Sequence, residues 1–292
     1  VDKEWFGRKN VFNVECSANQ WDVVDAKIEF PDGKTWKNYI DSRRIEITCG
    51  EAPYLVSRYD TTTGELIMPP FRRIGLLDRK LRIVNENVSD KEEWIKWGIR
   101  ALQSCYGYEY QGDNLLIARI NVLVAFCDYY EERWREKLDK KTLLQIANII
   151  SWNLWQMDGL SDTVPLGKPY GNNHQISIFE VFEENEPKEE REAILCRIFN
   201  WRSKFSMKFK DIRKDQCMSK KLFDFCIGNP PYQQESNGAN ANDTPVYHYF
   251  YDAAFEVSDK VELITPARFL FNAGGTPKDW NERMLNDPHF KI

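Results

Sequence analysis

Histidine is nearly missing from this chain, with three in 292 residues, and its seven cysteines include no C-x-x-C pair. Cys16, Cys49, Cys105, Cys127, Cys196, Cys217 and Cys226 are scattered and odd in number. That excludes a disulfide framework and fits reduced thiols in the cytosol. Together the two scarcities exclude the usual ligand patterns of a structural zinc site, so no metal is expected. No apolar run reaches the roughly 20 residues of a membrane helix, and no signal-peptide pattern is visible, so a cytoplasmic protein without a membrane partner is expected. The net charge is only −5, which excludes a globally basic nucleic-acid binder and leaves room for a local patch. Internal repeats and low-complexity tracts are also missing.

What is present is aromatic weight, with 10 Trp, 13 Tyr and 17 Phe. The length fits one large domain or two small ones with a real core. Short apolar strands alternate with helical patterns. "RRIEITCG" (43–50) reads as a strand ending at glycine, and "SCYGYEYQG" (104–112) as a second. In the segment that follows, Leu115, Ala118, Val122 and Ala125 recur at helical spacing. "LLQIANIISWNLWQMDGL" gives a helix and a short strand ending near Asp158; "LFDFCIGN" is another strand. "TPVYHYFYDAAFEVS" is a helix and "KVELITP" the strand after it, and the closing residues read as the opening of a further strand. Repeated strand–helix order means an α/β fold with a parallel sheet and helices on both faces.

Residues 1–42 form an N-terminal segment, expected to pack over a cofactor site, and 43–292 form the main domain. Two stretches, near 60–103 and 161–221, look inserted. The second holds the loop "GKPYGNN" (167–173), an acidic run (183–192) and a basic run of Arg197, Arg202, Lys204, Lys208, Lys210, Arg213, Lys214, Lys220 and Lys221. Acid beside base reads either as a solvated face or as an edge that contacts phosphates.

In an open parallel sheet, ligands sit at the carboxyl ends of the strands, where strand order reverses. Each strand here ends in a useful group. Gly50 allows close backbone approach; Glu109 offers a carboxylate for two ribose hydroxyls; Asp158 ends the third. The fourth runs into Asn229-Pro230-Pro231-Tyr232. Any one acid alone could simply cap the next helix, and Asn-Pro alone could be a turn. His174 and His248 are assigned no role.

The order and wording of these motifs resemble the N6-adenine DNA methyltransferases of bacterial restriction–modification systems. "IEITCGEAPYL" resembles that family's first motif, "YGYEYQGDNLLIARINVL" its second and "NLWQMDGL" its third. "FDFCIGNPPY" resembles the fourth, and "PVYHYFYDAAFEVSDKVELITPARFL" the helix and strand beyond it. The resemblance spans roughly 43–271. It implies a doubly wound, Rossmann-like S-adenosylmethionine-dependent methyltransferase sheet with helical insertions, truncated at the C-terminus and without a target-recognition domain. It assigns cofactor binding to Glu46, Cys49, Gly50, Glu109, Asp158 and Gly159, and catalysis to Asn229, Pro230, Pro231 and Tyr232. Ala52 departs from the pattern, standing where the family has a second glycine, which would bring a methyl near the cofactor.

The same resemblance implies a mechanism. The Asn229 side-chain oxygen and the Pro230 carbonyl would each accept one N6–H, freeing the nitrogen lone pair for attack. Tyr232 would stack on a flipped base. The expected partners are double-stranded DNA and a restriction or specificity subunit or fused domain. Two rivals stay open: a protein-glutamine or RNA methyltransferase, and a non-catalytic methyltransferase-like subunit that binds DNA or a partner.

Overall fold

The computed structural model describes residues 1–17, 20–165, 193–214, 221–234, 244–273 and 275–291. The 167–173 loop, the acidic run, His174, Cys217 and Lys220 lie outside them. Eleven strands are described: β1 (Asn13–Ser17), β2 (Gln20–Val23), β3 (Arg44–Ile47), β4 (Cys105–Glu109), β5 (Leu154–Gln156), β6 (Arg197–Asn200), β7 (Phe205–Lys208), β8 (Phe223–Gly228), β9 (Gln233–Gln234), β10 (Thr244–Pro245) and β11 (Ser258–Leu263). The helices are α1 (Asp2–Phe6), α2 (Trp36–Asp41), α3 (Leu76–Asn87), α4 (Lys91–Gln103), α5 (Gly112–Trp134), α6 (Lys140–Asn153), α7 (Phe209–Lys214), α8 (Tyr247–Val257) and α9 (Lys278–Asn286).

Five strands form one sheet in the order β11-β8-β3-β4-β5, and all of its pairings are parallel. β3 and β4 are buried along their whole length, as central strands covered on both faces must be. Chain order runs from β3 outward to β4 and β5, then crosses back to β8 and β11. The reversal therefore falls between β3 and β8. One face is covered by α3, α4, α5 and α6, whose Leu81, Trp94, Leu102, Phe126 and Ile146 share a core cluster. The other holds Ile45, Ile47, Tyr106, Tyr108 and Trp155 against Phe209, Phe250 and Ala254 of α7 and α8. The expected α/β fold with helices on both faces is the one observed.

The stretch 60–103 contributes to this core: α3 buries Leu77, Leu81, Ile83 and Val84, and α4 buries Trp94 and Ala101. Buried Lys80 donates to the Ile40 and Ser42 carbonyls and to Ser104 Oγ, tying α3 to the amino ends of β3 and β4. The N-terminal segment gathers Trp5, Phe6, Phe12 and Phe30 around the Tyr39 ring. That ring in turn lies 4.3 Å from the Arg44 guanidinium at the start of β3.

The closing residues differ from the expected strand. Asp287 Oδ1 accepts the His289 N–H at 2.8 Å, and the Phe290 N–H bonds back to the Asp287 carbonyl. A short acid whose side chain mimics a turn wins over the apolar pattern there, and Phe290 packs against Tyr251 and Phe269 instead.

Candidate active site

Past Ile47 the chain turns sharply. Thr48 (φ 48°), Gly50 (φ 51°) and Ala52 (φ 64°) all take left-handed backbone. Glycine does this freely, whereas Thr48 and Ala52 persist there only because their surroundings over-determine them. The Cys49 N–H donates to the Tyr108 carbonyl at 2.8 Å, and the Ala52 N–H to the Cys49 carbonyl at 2.7 Å. Two glutamate side chains finish the turn. Glu109 Oε2 accepts the Gly50 N–H at 2.8 Å, and Glu46 accepts the Tyr54 and Leu55 N–H groups at 3.3 and 2.8 Å.

Glu46 is buried, and burial pushes its carboxyl up to about 8 against the pull of those two backbone bonds. Its described contacts shape the turn from beneath. Cys49 is buried too, its thiol pushed well up by desolvation. The expectation for Ala52 is corrected: the residue is wholly buried in the core cluster with Leu55 and Val56, so its methyl faces protein. Over Gly50, by contrast, nothing lies within 4 Å of where a Cβ would stand. The turn is open at Gly50 and closed at Ala52.

Glu109 spends Oε2 on Gly50 and Oε1 on the Gln111 N–H at 3.1 Å. A carboxylate has about four acceptor sites, so capacity remains for a diol. Its backbone carbonyl accepts the Met157 N–H, which carries the ladder on to Asp158. Asp158 is half-buried and Oδ1 accepts the Leu160 N–H at 2.9 Å. Gly159 is buried; a Cβ there would stand 2.7 Å from the Phe250 ring, so glycine is what lets α8 approach.

The fourth group meets these through register. β3 pairs with β8 so that Ile47 sits opposite Gly228, which sets Asn229 alongside Thr48 at the start of the turn. Pro230 is buried, while Asn229, Pro231 and Tyr232 are exposed. The Tyr232 hydroxyl donates to Asn229 Oδ1 at 3.0 Å, so that oxygen is already accepting from a neutral donor above the loop. The Tyr232 carbonyl accepts the Val246 N–H, and Gln233–Gln234 pair with Thr244–Pro245 behind it.

The sheet thus brings Gly50, Glu109, Asp158 and Asn229 into one row at the carboxyl ends of β3, β4, β5 and β8, astride the order reversal. Sequence reasoning passed over Tyr54. This half-buried residue donates its N–H to Glu46, and its hydroxyl is pushed up by burial, with Glu46 and Tyr232 nearby adding to the shift. An aromatic directly after a proline at the end of the first motif was the available signal. Among the described residues, no three His, Cys, Asp or Glu side chains converge to hold a metal ion, and no helix is long and apolar enough to cross a membrane.

A model of the Eco57I restriction-modification methylase family matches residues 103–292, well over half of the chain. The chain belongs to that family. It is therefore a methyltransferase of the restriction–modification type, and the row just described lies where an α/β sheet of this topology holds its ligands. No curated protein matches the chain. In this methylase the matched span includes β4, β5, β8 and β11, and thus Glu109, Asp158 and Asn229 to Tyr232. The turn from Thr48 to Ala52 precedes that span and is tied to it by the Gly50–Glu109 bond.

Proposed function

We propose that this methylase transfers a methyl group from S-adenosylmethionine to the N6 amino group of adenine in double-stranded DNA, acting on a flipped base. What supports the reading most is the register of β3 on β8, which sets the Asn229 acceptor beside the Gly50–Glu109 turn. The residues fit the cofactor: open space over Gly50, spare acceptor capacity on Glu109 and a half-buried acid at Asp158. Glu109 would hold the ribose hydroxyls and Asp158 the adenine amino group of the cofactor. When bound, S-adenosylmethionine supplies an electrophilic methyl on a sulfonium.

Asn229 Oδ1 and the Pro230 carbonyl accept the two N6–H bonds of the target. An adenine amino nitrogen is a poor nucleophile because its lone pair is delocalised into the ring; two acceptors draw the nitrogen towards tetrahedral geometry and localise that pair. The prolines contribute by rigidity and by lacking backbone N–H groups that would compete. Tyr232 gives the flipped base a face to stack on. For the target amino group to bond, the Tyr232 hydroxyl either shares the second lone pair of Asn229 Oδ1 or yields its place. The proton is lost to water once the nitrogen carries the methyl. A restriction or specificity partner, fused or separate, belongs to the same reading.

Two measurements test this. S-adenosylmethionine raises the melting temperature by linkage, and Glu109→Ala loses most of that shift. Asn229→Ala keeps the shift but loses transfer to DNA by about a hundredfold, near 3 kcal/mol, by analogy with losing one preorganised group at a reacting centre. Full activity in Asn229→Ala sinks the acceptor mechanism. Methyl transfer to protein glutamine or RNA in preference to DNA sinks the choice of substrate.

A further inference from the structure

We infer that Phe271 and Arg268 form a second DNA contact beside the Asn229–Tyr232 loop, with Phe271 stacking on an unstacked base next to the target and Arg268 facing a backbone phosphate. The inference rests on the adenine reading above and extends it to two residues that reading gives no role.

Position comes first. β11 neighbours β8, and the Ile264 N–H donates to the Gly228 carbonyl at 2.9 Å. The chain after β11 therefore departs alongside Asn229. It forms a short 3-10 helix, Ala267–Phe271, and then returns against the hairpin that follows Tyr232; a Cβ built on Gly275 would lie 3.5 Å from Pro245 of β10.

The turn is rigidly held. Phe269 is buried among Tyr247, Tyr251 and Trp280. Asn272 closes the helix in left-handed conformation (φ 53°), its N–H on the Phe269 carbonyl and the Ala273 N–H on the Arg268 carbonyl. Asn281 Nδ2 reaches Asn272 Oδ1, and Thr276 bonds Asn281 in turn. Yet Phe271 is 82 % exposed, the most exposed large apolar side chain among the described residues.

Single exposed apolar residues are ordinary; two observations lift this one above that. A 3-10 helix has three residues per turn, so side chains three apart eclipse each other, and Arg268 stands on the same face as Phe271. Arg268 is exposed and makes no ion pair among the described residues. A cation beside an aromatic plane is what binds unpaired nucleic acid, by phosphate attraction together with sequence-tolerant stacking. The neighbouring elements add Tyr232, Tyr249 and Ile264, each more than two-fifths exposed. An enzyme that extrudes a base from a duplex exposes the faces of the adjoining bases, and a rigidly presented ring can cover one of them.

The test follows initial rates of methyl transfer to unmodified bacterial DNA across DNA concentration and salt. In Phe271→Ala, KM for DNA rises about tenfold, as expected for one lost stacking contact, while kcat changes less than threefold. Melting temperature and its shift by S-adenosylmethionine stay as in the wild type, and Phe271→Trp restores KM. Arg268→Ala also raises KM and lowers the salt slope by about one. A KM within twofold of wild type in Phe271→Ala overturns the inference. So does a marked fall in melting temperature with KM unchanged, which would mean that protein covers the ring. Failure of the adenine reading shows instead in the wild type, as absence of transfer to DNA.

Discussion

Ala52 occupies backbone space that L-residues avoid at a cost of about 1–2 kcal/mol, and its methyl is fully enclosed. Glycine would relieve the backbone but forfeit the buried methyl, worth about 0.8 kcal/mol; these nearly cancel, so Ala52→Gly should change stability little. Ala52→Val adds a branched side chain where neither φ nor space allows it, and should cost more than about 2 kcal/mol in urea denaturation. A neutral Ala52→Val would mean that the turn is looser than its hydrogen bonds imply. Tyr232 carries two separable roles on one side chain. Its ring is the stacking face, and its hydroxyl occupies Asn229 Oδ1 at 3.0 Å. Tyr232→Phe keeps the ring, and transfer should stay within about threefold of wild type if the arriving amino group replaces the hydroxyl. Tyr232→Ala should raise KM for DNA about tenfold, through lost stacking.

Among elements, β3 and its turn carry a titration. Glu46 is raised from 4.5 to about 8 by burial, so between those values the folded state holds a proton that the unfolded chain has released. Stability from this group is full below about 4.5 and is lost as pH rises through 8. Asp78, raised by burial to about 6, acts in the same sense at lower pH. Lys80, lowered by burial to about 7, adds stability as pH rises from 7 towards 10.5. Buried His248 is lowered and adds stability as pH rises towards 6.5. Around neutrality these contributions overlap that of Glu46. Comparing wild type with Glu46→Gln isolates it: wild type should lose stability across pH 6–7.5 by on the order of 1 kcal/mol per pH unit relative to the variant. Parallel curves would show that Glu46 is charged when folded. These elements also show what the sequence could and could not disclose. β3, β4 and β8 were legible because central parallel strands must be apolar and end in turn residues, the edge strand β11 because it follows a helical pattern in strand–helix order, and α5 because Leu115, Ala118, Val122 and Ala125 repeat at helical spacing. Glu109, Asp158 and Asn229 were legible as strand-end groups. The β6–β7 hairpin was not, since its charged faces and four-residue strands resemble any solvated run. Nor could spacing disclose that the Ala52 methyl turns inward, because that depends on a left-handed φ fixed by Glu46 and Glu109 from elsewhere in the chain.

At the scale of the whole molecule, three cations of the basic run have internal partners. Arg202 pairs with Asp41 at 2.6 Å, at the amino ends of the strands and away from Asn229. Lys221 donates to the Phe255 and Ser258 carbonyls. Arg213 bridges Asp162 at 3.0 Å and Glu256 at 2.6 Å, joining the loop after β5 to α8. Cations committed in this way release few counterions from DNA, because each would first have to leave an internal partner. Arg213→Ala should therefore act on the fold. It strands the Asp162 carboxyl, whose side chain is only 5 % exposed and which burial already disfavours as an anion. Removing one partner of a largely buried pair costs more than the pair contributes; about 2 kcal/mol is expected, or roughly 4–8 °C in melting temperature for a domain of this size. The slope of log binding constant against log salt on an unrelated duplex should be unchanged. A slope reduced by about one, with the melting temperature intact, would instead make Arg213 a phosphate contact. It would then return this end of the basic run to the DNA-facing surface.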